Sequence, residues 1–111
     1  MSTLDECKKL IWDLAKQKKW SSDPERKIYY SILELAEAGD IWKHRDDPDY
    51  LKEIKVTDIN LAIAEELIDT IYYCLHCLMC IDPSISADEV FKSKHEINEK
   101  RNRIYADDMN G

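Results

Sequence analysis

Two short pairs of acidic residues are the part of this sequence best suited to chemistry. Glu34 and Glu37 stand three residues apart in "ELAE", and Glu66 and Asp69 stand three apart in "ELID". On an α-helix this spacing places both members of a pair on one face, with about 5–6 Å between their Cβ atoms. Two such helices packed side by side would bring four carboxylates together. Oxygen ligands of this kind favour a hard divalent cation, so we expect Mg²⁺, or Mn²⁺ in its place.

The second acidic pair lies in the most apolar segment of the chain, "INLAIAEELIDTIYYCLHCLMCI". No Lys or Arg occurs from position 56 to position 91. Two unpaired carboxylates in apolar surroundings would be protonated or would destabilise the fold, and a bound cation resolves this conflict. For the first pair a solvent-exposed helix face is the alternative, because Glu34 and Glu37 lie roughly opposite the apolar stripe predicted for their helix.

The last part of the chain offers hydrogen-bond donors for phosphate. Lys94, Asn98 and Arg101 stand at i, i+4 and i+7 in "KHEINEKR", so a helix there would carry them on one face. Ammonium, amide and guanidinium groups are donors suited to phosphate oxygens. The alternative is an ordinary solvated basic face on a terminal helix.

Cys74, Cys77 and Cys80 form a C-x2-C-x2-C series, which ligates zinc or an iron–sulfur cluster in some proteins. Such ligands normally sit in loops, whereas this series contains no Gly or Pro and lies in a strongly helical segment. We therefore interpret the cysteines as small apolar residues of the core. His76, between them, is interpreted as a core or interface histidine whose polar atoms are satisfied. A soft-metal site is the alternative.

The composition argues against several classes of partner. A chain of 111 residues suits one domain, spanning 1–111. With 23 Asp plus Glu against 16 Lys plus Arg, the net charge is -7, which repels a nucleic-acid backbone. The apolar run at 70–81 is too short to span a bilayer, and the first ten residues lack the apolar core of a signal peptide. We expect a cytoplasmic protein with no nucleic-acid or membrane partner.

The chain is predicted to be all-α, because apolar residues recur at helical spacing and no strand alternation is found. Helix starts are predicted at Thr3, at Ser22 or Asp23, near Thr57 or Asp58, and at Ser86; a short helical piece is expected around positions 50–54. Only two Gly and three Pro favour long helices.

The packing of these helices is expected to require a second copy. Ile28, Ile32 and Leu35 are predicted as the inner stripe of the second helix. The third long helix is apolar all round after Asp69, which predicts burial on every side. Four short helices cover such a helix poorly. We expect a four-helix-bundle-like fold completed by oligomerisation, as a homodimer or homotetramer.

Taken together, the motifs resemble the MazG-like and dimeric dUTPase-like nucleoside triphosphate pyrophosphohydrolases. That family's pattern is E-x2-E, then E-x2-D, then K-x3-N-x2-R, matched here by "ELAE", "ELID" and "KHEINEKR" within about 20–105. The resemblance implies an all-α bundle that uses Mg²⁺ to hydrolyse a (deoxy)nucleoside triphosphate between the α and β phosphates, as nucleotide-pool house-cleaning. It assigns metal binding and catalysis to the two acidic pairs, and phosphate binding to Lys94, Asn98 and Arg101.

Three aromatic residues are candidates for binding the base. Trp42 follows the first acidic pair, as an aromatic residue does in the dUTPase-like relatives, and Tyr73 lies one turn beyond Asp69. Trp20 is the third. An aromatic residue at helical spacing is also typical of a core position.

One motif position has two alignments. Many MazG-like members carry a fuller E-E-x2-E, and in that frame Ser31 replaces the first ligand and Glu34 is the second. The dUTPase-like frame, matched by "ELAEAGDIW", includes Glu37, and we adopt it. The chain is much shorter than dimeric dUTPases, so their substrate is not implied. Outside enzymes, the competing hypothesis is a non-catalytic helical oligomer whose acids serve solubility.

Overall fold

The computed structural model describes residues 2–101, and all regular structure in that range is helical. The five helices are α1 (Leu4–Lys18), α2 (Pro24–Lys43), α3 (Pro48–Glu53), α4 (Ile59–Ile81) and α5 (Ala87–Lys100). The predicted all-α class is confirmed. The short α3 corresponds to the helical piece expected in the connector. Across the described range, no helix combines the length and hydropathy that a membrane crossing requires.

Side chains cap the helix starts that the sequence predicts. Thr3, Asp23, Asp58 and Ser86 each accept a hydrogen bond, at 3.0–3.2 Å, from a backbone N–H in the first turn of the following helix. Asp47 caps α3 in the same way. A cap of this kind stabilises a helix by about 1 kcal/mol. The two helices that carry the acidic pairs therefore begin where local sequence alone places them.

The most extensive helix pair is α2 with α4, which run antiparallel. Near the start of α2, the Pro24 carbonyl accepts a hydrogen bond from Cys77 Sγ at 3.6 Å. Further along α2, and further back along α4, the rings of Tyr30 and Tyr73 lie 5.4 Å apart. This register places the two acidic pairs opposite each other.

The buried core joins α1, α4 and the first turn of α5, through Ile11, Leu75 and Ala87. α1 packs on α4, and α5 packs mainly on α1. The core therefore lies on the side of α4 that faces α1.

Two aspartates cap each other's helices where the N-termini of α1 and α5 meet, and we call this pair of contacts the aspartate exchange. Asp88 accepts hydrogen bonds from the N–H groups of Leu4 and Asp5, at 3.0 and 3.1 Å. Asp5 in turn accepts from Ser86 Oγ at 2.6 Å and from the N–H of Ala87 at 2.7 Å. Each carboxylate thus satisfies the free N–H groups of the other helix, where the helix dipole favours negative charge. The hydrogen bond from Ser86 is the largest cause that lowers the pKa of Asp5 to about 2.

The predicted inner stripe of α2 is wrong. Ile28, Ile32 and Leu35, called the outer stripe below, are 50–57% exposed. The buried face of α2 runs from Lys27 to Ile41 and faces α4. A helix with apolar residues on two sides can bury only one of them against a single neighbour. Here the acid-bearing side is the one that packs, and the outer stripe is left uncovered.

The prediction that α4 is buried on every side is also wrong for the single chain. Ile71, Cys74 and Ile81 are exposed, because α1 and α2 cover only part of the helix surface. Residues 89–100 of α5 are exposed as well. The radius of gyration is 16.9 Å, against about 13 Å for a compact domain of 100 residues. One copy therefore leaves much of its apolar helix surface uncovered.

Candidate functional site

Three of the four predicted acids meet at the seam between α2 and α4. Glu34, Glu37 and Glu66, called the acid cluster below, each place one carboxylate oxygen within 4.8 Å of the others. Glu66 Oε2 is enclosed and has no hydrogen-bond partner in residues 2–101. The neighbouring Glu34 carboxyl, then burial, then the neighbouring Glu37 carboxyl raise the pKa of Glu66 to about 8. Near neutral pH the cluster therefore retains a proton.

No Lys or Arg within residues 2–101 forms an ion pair with these acids; the ion pairs found there are Lys8 with Asp5 and His95 with Glu99. Grouped carboxylate oxygens, one of them an acceptor without a donor, are the kind of ligand set that hard divalent cations take. The residues present therefore fit Mg²⁺ or Mn²⁺. Without a cation, protonation is what relieves the repulsion between the carboxylates.

The fourth predicted acid, Asp69, lies outside this group of three. It is one turn beyond Glu66 on α4 and lines a neighbouring cleft. Ser31 makes a contact within its own helix: the Ser31 hydroxyl donates to the Ile28 carbonyl at 2.7 Å. The two alignments of the motif differ in whether Ser31 or Glu37 occupies a ligand position. Of these two residues, Glu37 is the one within the acid cluster.

A cleft of about 560 Å³ opens beside the acid cluster, and we call it the aromatic cleft. Trp20, Tyr30, Tyr72 and Tyr73 line it. The rings of Trp20 and Tyr72 are arranged edge to face, with centroids 6.2 Å apart. Burial raises the pKa of Tyr73, and the nearby carboxylates add to the shift, so its hydroxyl stays neutral. Two of the three predicted base-binding residues, Trp20 and Tyr73, therefore share one cleft.

The turn after α1 positions Trp20. Lys19 adopts the left-handed conformation, with φ 56° and ψ 41°, and the Trp20 N–H donates to the Ala15 carbonyl at 3.0 Å. This tight closure of α1 holds the Trp20 ring against α4, with its centroid 6.1 Å from that of His76.

Lys19, Arg26 and Lys27 bring positive charge to the aromatic cleft. Lys27 is only 4% exposed. Its ammonium lies 5.8 Å from the centroid of Tyr30, and no carboxylate in residues 2–101 lies within 4 Å of it. Lys27 therefore adds a positive charge to the wall of the aromatic cleft.

His76 also lines the cleft and is 1% exposed. Its predicted place in the core is confirmed. The predicted satisfaction of its polar atoms is wrong, because Nε2 has no hydrogen-bond partner within residues 2–101. Burial, followed by the charge of Lys27, lowers the pKa of His76, so its ring is neutral at pH 7.

The third predicted base-binding residue, Trp42, lies elsewhere. It is in the last turn of α2, and the helical rise puts it roughly 22 Å along that helix from Lys27, which lines the aromatic cleft. The Arg45 guanidinium covers its ring at 4.2 Å, and both residues line a separate cleft. The structure does not bring Trp42 to the aromatic cleft.

The predicted phosphate-binding residues are exposed and lie on the part of α5 beyond its contact with the core. Lys94 and Asn98 belong to α5, whereas Arg101 follows its last helical residue in extended conformation. The single helical face predicted for all three is therefore interrupted before Arg101. Within one copy, α5 packs mainly on α1, whereas the acid cluster lies between α2 and α4.

The cysteine series forms no metal site in the described part of the chain. Among residues 2–101 the acid cluster is the only group of three or more His, Cys, Asp or Glu side chains arranged to share an ion. Burial raises the pKa of the Cys77 and Cys80 thiols, which makes them poor metal ligands. Cys74 is exposed, so its predicted core position is wrong.

Sequence reasoning missed Lys27 and Tyr30 as site residues. Lys27 stands seven positions before Glu34, and Tyr30 stands four before it, so both share a side of α2 with that acid. This spacing was a usable signal. The prediction that the outer stripe packs against the core instead places this side of α2 toward solvent.

No protein-family model, no curated protein and no solved structure matches this chain.

Proposed function

We propose that the chain is a Mg²⁺-dependent nucleoside triphosphate pyrophosphohydrolase of the MazG-like and dimeric dUTPase-like type. It converts a (deoxy)nucleoside triphosphate to the monophosphate and pyrophosphate, in a house-cleaning role. The observation that carries the proposal is the acid cluster: three carboxylates from two helices meet without a cation of the chain to neutralise them.

The acid cluster holds the ion in this proposal. Glu34, Glu37 and Glu66 would supply the oxygen ligands, with Asp69, one turn along α4, as the fourth carboxylate of the proposed site. Mg²⁺ held there would neutralise charge on the triphosphate and would lower the pKa of the attacking water. One of the four carboxylates accepts the proton that the water loses. The water oxygen forms a bond to one of the two phosphorus atoms, the P–O bond that bridges the α and β phosphates breaks, and pyrophosphate leaves with the monophosphate as the other product.

Donors for the outgoing phosphates come from the end of the chain. Lys94 and Arg101 bind the phosphate oxygens, and Asn98 orients them. These side chains extend from the exposed part of α5. In our proposal they therefore serve the acid cluster of a second copy.

Assembly into a homodimer or homotetramer follows from the uncovered apolar surface. The outer stripe of α2 and the exposed residues of α4, Ile71 among them, are large apolar groups on two packed helices. Burial of such surface stabilises association by roughly 25 cal/mol per Å² of apolar area. Two copies joined through it complete the four-helix-bundle-like arrangement that the sequence predicts.

The experiment that tests the proposal measures hydrolysis of common ribo- and deoxyribonucleoside triphosphates, with Mg²⁺ or with EDTA. The key variant is Glu66→Gln, and its matched control is Glu65→Gln, the neighbouring exposed acid outside the acid cluster. We expect turnover that EDTA abolishes, that Glu66→Gln lowers by about 100-fold or more, and that Glu65→Gln leaves within about twofold.

Equal loss in the two variants would contradict the assigned role of the acid cluster. Turnover that persists in EDTA would contradict the metal dependence.

A non-catalytic helical oligomer is the second candidate, and the exposed outer stripe is the observation that favours it. In that case the chain assembles, but Mg²⁺ changes neither its melting temperature nor its titration. A Mg²⁺-dependent rise in melting temperature that Glu66→Gln abolishes would exclude this candidate.

A further inference from the structure

His76 is a titratable side chain enclosed within the protein, and the proposed reaction does not use it. It is 1% exposed, and its Nε2 has no hydrogen-bond partner among residues 2–101. A protonated imidazole donates from both ring nitrogens, so Nε2 would then be a charged donor that meets no acceptor. A buried charge of this kind is unfavourable unless it is paired. The ring is therefore kept neutral for as long as it stays buried.

The neighbours of His76 join the second half of α1 to α4. The Trp12 ring on α1 meets the His76 ring edge to face, with centroids 6.1 Å apart. The Trp20 ring, in the turn after α1, lies at the same centroid distance from His76 and also meets Tyr72. Both tryptophans thus reach α4 at His76, and Trp20 forms one wall of the aromatic cleft.

The charges around His76 oppose a further positive charge. Burial, and then the charge of Lys27, lowers the pKa of His76, and no carboxylate in residues 2–101 lies within 4 Å of its ring nitrogens. On the α1 side, the Lys16 ammonium lies over the Trp12 ring, 5.5 Å from its centroid. The charged and titratable groups that line the aromatic cleft with His76 are Lys19 after α1, Arg26, Lys27 and Tyr30 on α2, and Asp69, Tyr72 and Tyr73 on α4. An imidazolium there faces more cations than carboxylates, so it is favoured only when the ring turns out to water.

The other end of α1 is held by contacts that respond to a lower pH. The aspartate exchange ties the start of α1 to α5, and Ile11 packs in the core with Leu75 and Ala87. The pKa of Asp5 is lowered to about 2, so this tie is lost only as the pH falls toward that value. The pKa of His76 lies below its ordinary 6.5 in the folded state, so the unfolded chain takes up the proton more readily. The contribution of the neutral ring is therefore present above pH 6.5 and declines as the pH falls below it.

We propose that His76 is an acid-sensitive switch: protonation turns its ring out of the protein and releases the Trp20 end of α1 from α4, while the aspartate exchange holds the other end. Because Trp20 forms a wall of the aromatic cleft, the cleft opens on that side. The pairing of α2 with α4, the most extensive in the fold, stays in place. This response to acid is independent of the proposed hydrolysis.

Tryptophan fluorescence of a Trp42→Phe chain tests the switch, because Trp12 and Trp20 are then the remaining tryptophans. A protonated imidazole quenches a neighbouring indole, and exposure to water moves indole emission to longer wavelength. As the pH is lowered from about 8 to about 4, a range that spans the ordinary pKa of histidine, the emission should fall and shift to longer wavelength. The transition should have the steepness of a single proton and a midpoint below pH 6.5, with far-UV circular dichroism nearly unchanged.

His76→Gln, made in the Trp42→Phe chain, should abolish this transition, because glutamine takes up no proton in the range. His95→Gln, at an exposed position on α5, is the matched control and should leave the transition unchanged. Melting temperature does not replace the local signal, because protonation of Glu66 changes stability in the opposite direction over an overlapping range.

A second measurement keeps the His76 ring in place. In a chain with His44→Gln and His95→Gln, His76 is the remaining histidine, and NMR of its ring protons reports its titration directly. The midpoint should lie below pH 6.5 and should coincide with the fluorescence midpoint. Amide hydrogen exchange over the same range should become faster at the end of α1 and should not change in α4.

A fluorescence transition that survives in folded His76→Gln would overturn the proposal, as would an NMR midpoint at or above pH 6.5 or midpoints that differ between the two methods. Loss of circular dichroism with the same midpoint would also overturn it, because the whole chain would then unfold rather than one end of α1. If His76→Gln fails to fold, agreement or disagreement between the NMR and fluorescence midpoints decides the question.

Discussion

Glu34 on α2 and Glu66 on α4 bring carboxylate oxygens within 4.8 Å of each other across the seam of two antiparallel helices, and the nearby Glu34 carboxyl is the largest cause of the raised pKa of Glu66. One proton is thereby held where Mg²⁺ is proposed to bind. Because a metal ligand must be deprotonated, proton and cation compete for the same oxygens.

The stability of the metal-free protein should fall as the pH rises through the pKa of Glu66. That pKa is raised from 4.5 to about 8 in the folded state, so the folded state binds the proton more tightly than the unfolded state does. The resulting stabilisation is complete below about pH 4.5 and is lost as the pH rises through about 8. Thermal melts in EDTA between these limits measure it. Glu66→Gln should flatten the profile, whereas an unchanged profile in that variant would show that Glu66 is not the group responsible.

Mg²⁺ should raise the melting temperature more at alkaline pH than at acid pH. The cation binds the deprotonated acid cluster, and binding to the folded state alone stabilises it by an amount that grows with the logarithm of the ligand excess over Kd. Melts with and without Mg²⁺ should show this shift for wild type and for Glu65→Gln, and none for Glu66→Gln. A shift of equal size in all three proteins would place the cation elsewhere.

The aspartate exchange should make the α1–α5 junction sensitive to acid. The pKa of Asp5 is lowered from 3.8 to about 2, so its stabilising effect is present above about pH 4 and is lost as the pH falls toward 2. Asp5→Asn should therefore lower the melting temperature at neutral pH, and the difference from wild type should vanish near pH 2. Asp13→Asn, at an exposed position on the same helix, is the matched control. Equal melting of Asp5→Asn and wild type at pH 7 would show that the exchange contributes nothing.

Association should depend on the outer stripe. Ile32 is exposed within a single copy, and a charge placed there would be buried unpaired in an interface that uses this surface. Light scattering should find wild type as a dimer or tetramer, Ile32→Lys shifted toward the monomer, and Leu10→Lys, on exposed α1 surface, unshifted. A monomeric wild type would refute the proposed assembly.

The helices and their starts could be predicted from sequence because their causes are local. Thr3, Asp58 and Ser86 bond to N–H groups three residues ahead, and such spacings can be counted along the chain. The side of α2 that packs could not be predicted in this way. Both sides carry apolar residues, and only the antiparallel pairing with α4 selects the side of Lys27 and Glu34.

The acid cluster was partly predictable for the same reason. The spacing of Glu34, Glu37 and Glu66 on two predicted helices is enough to identify them as candidate ligands. The offset of Asp69 into the aromatic cleft depends on how the helices are rotated against each other, which spacing does not encode. The unsatisfied Nε2 of His76 was beyond prediction as well, because it depends on which side chains fail to reach it.

The most direct test of the central claim is the identity of the phosphorus products. Phosphorus NMR is recorded on the chain with Mg²⁺ and a triphosphate that it turns over. The signals of the monophosphate and of pyrophosphate should appear together, and neither product signal should appear in EDTA. Orthophosphate with the diphosphate would contradict the account, because the bond broken would then not be the one between the α and β phosphates.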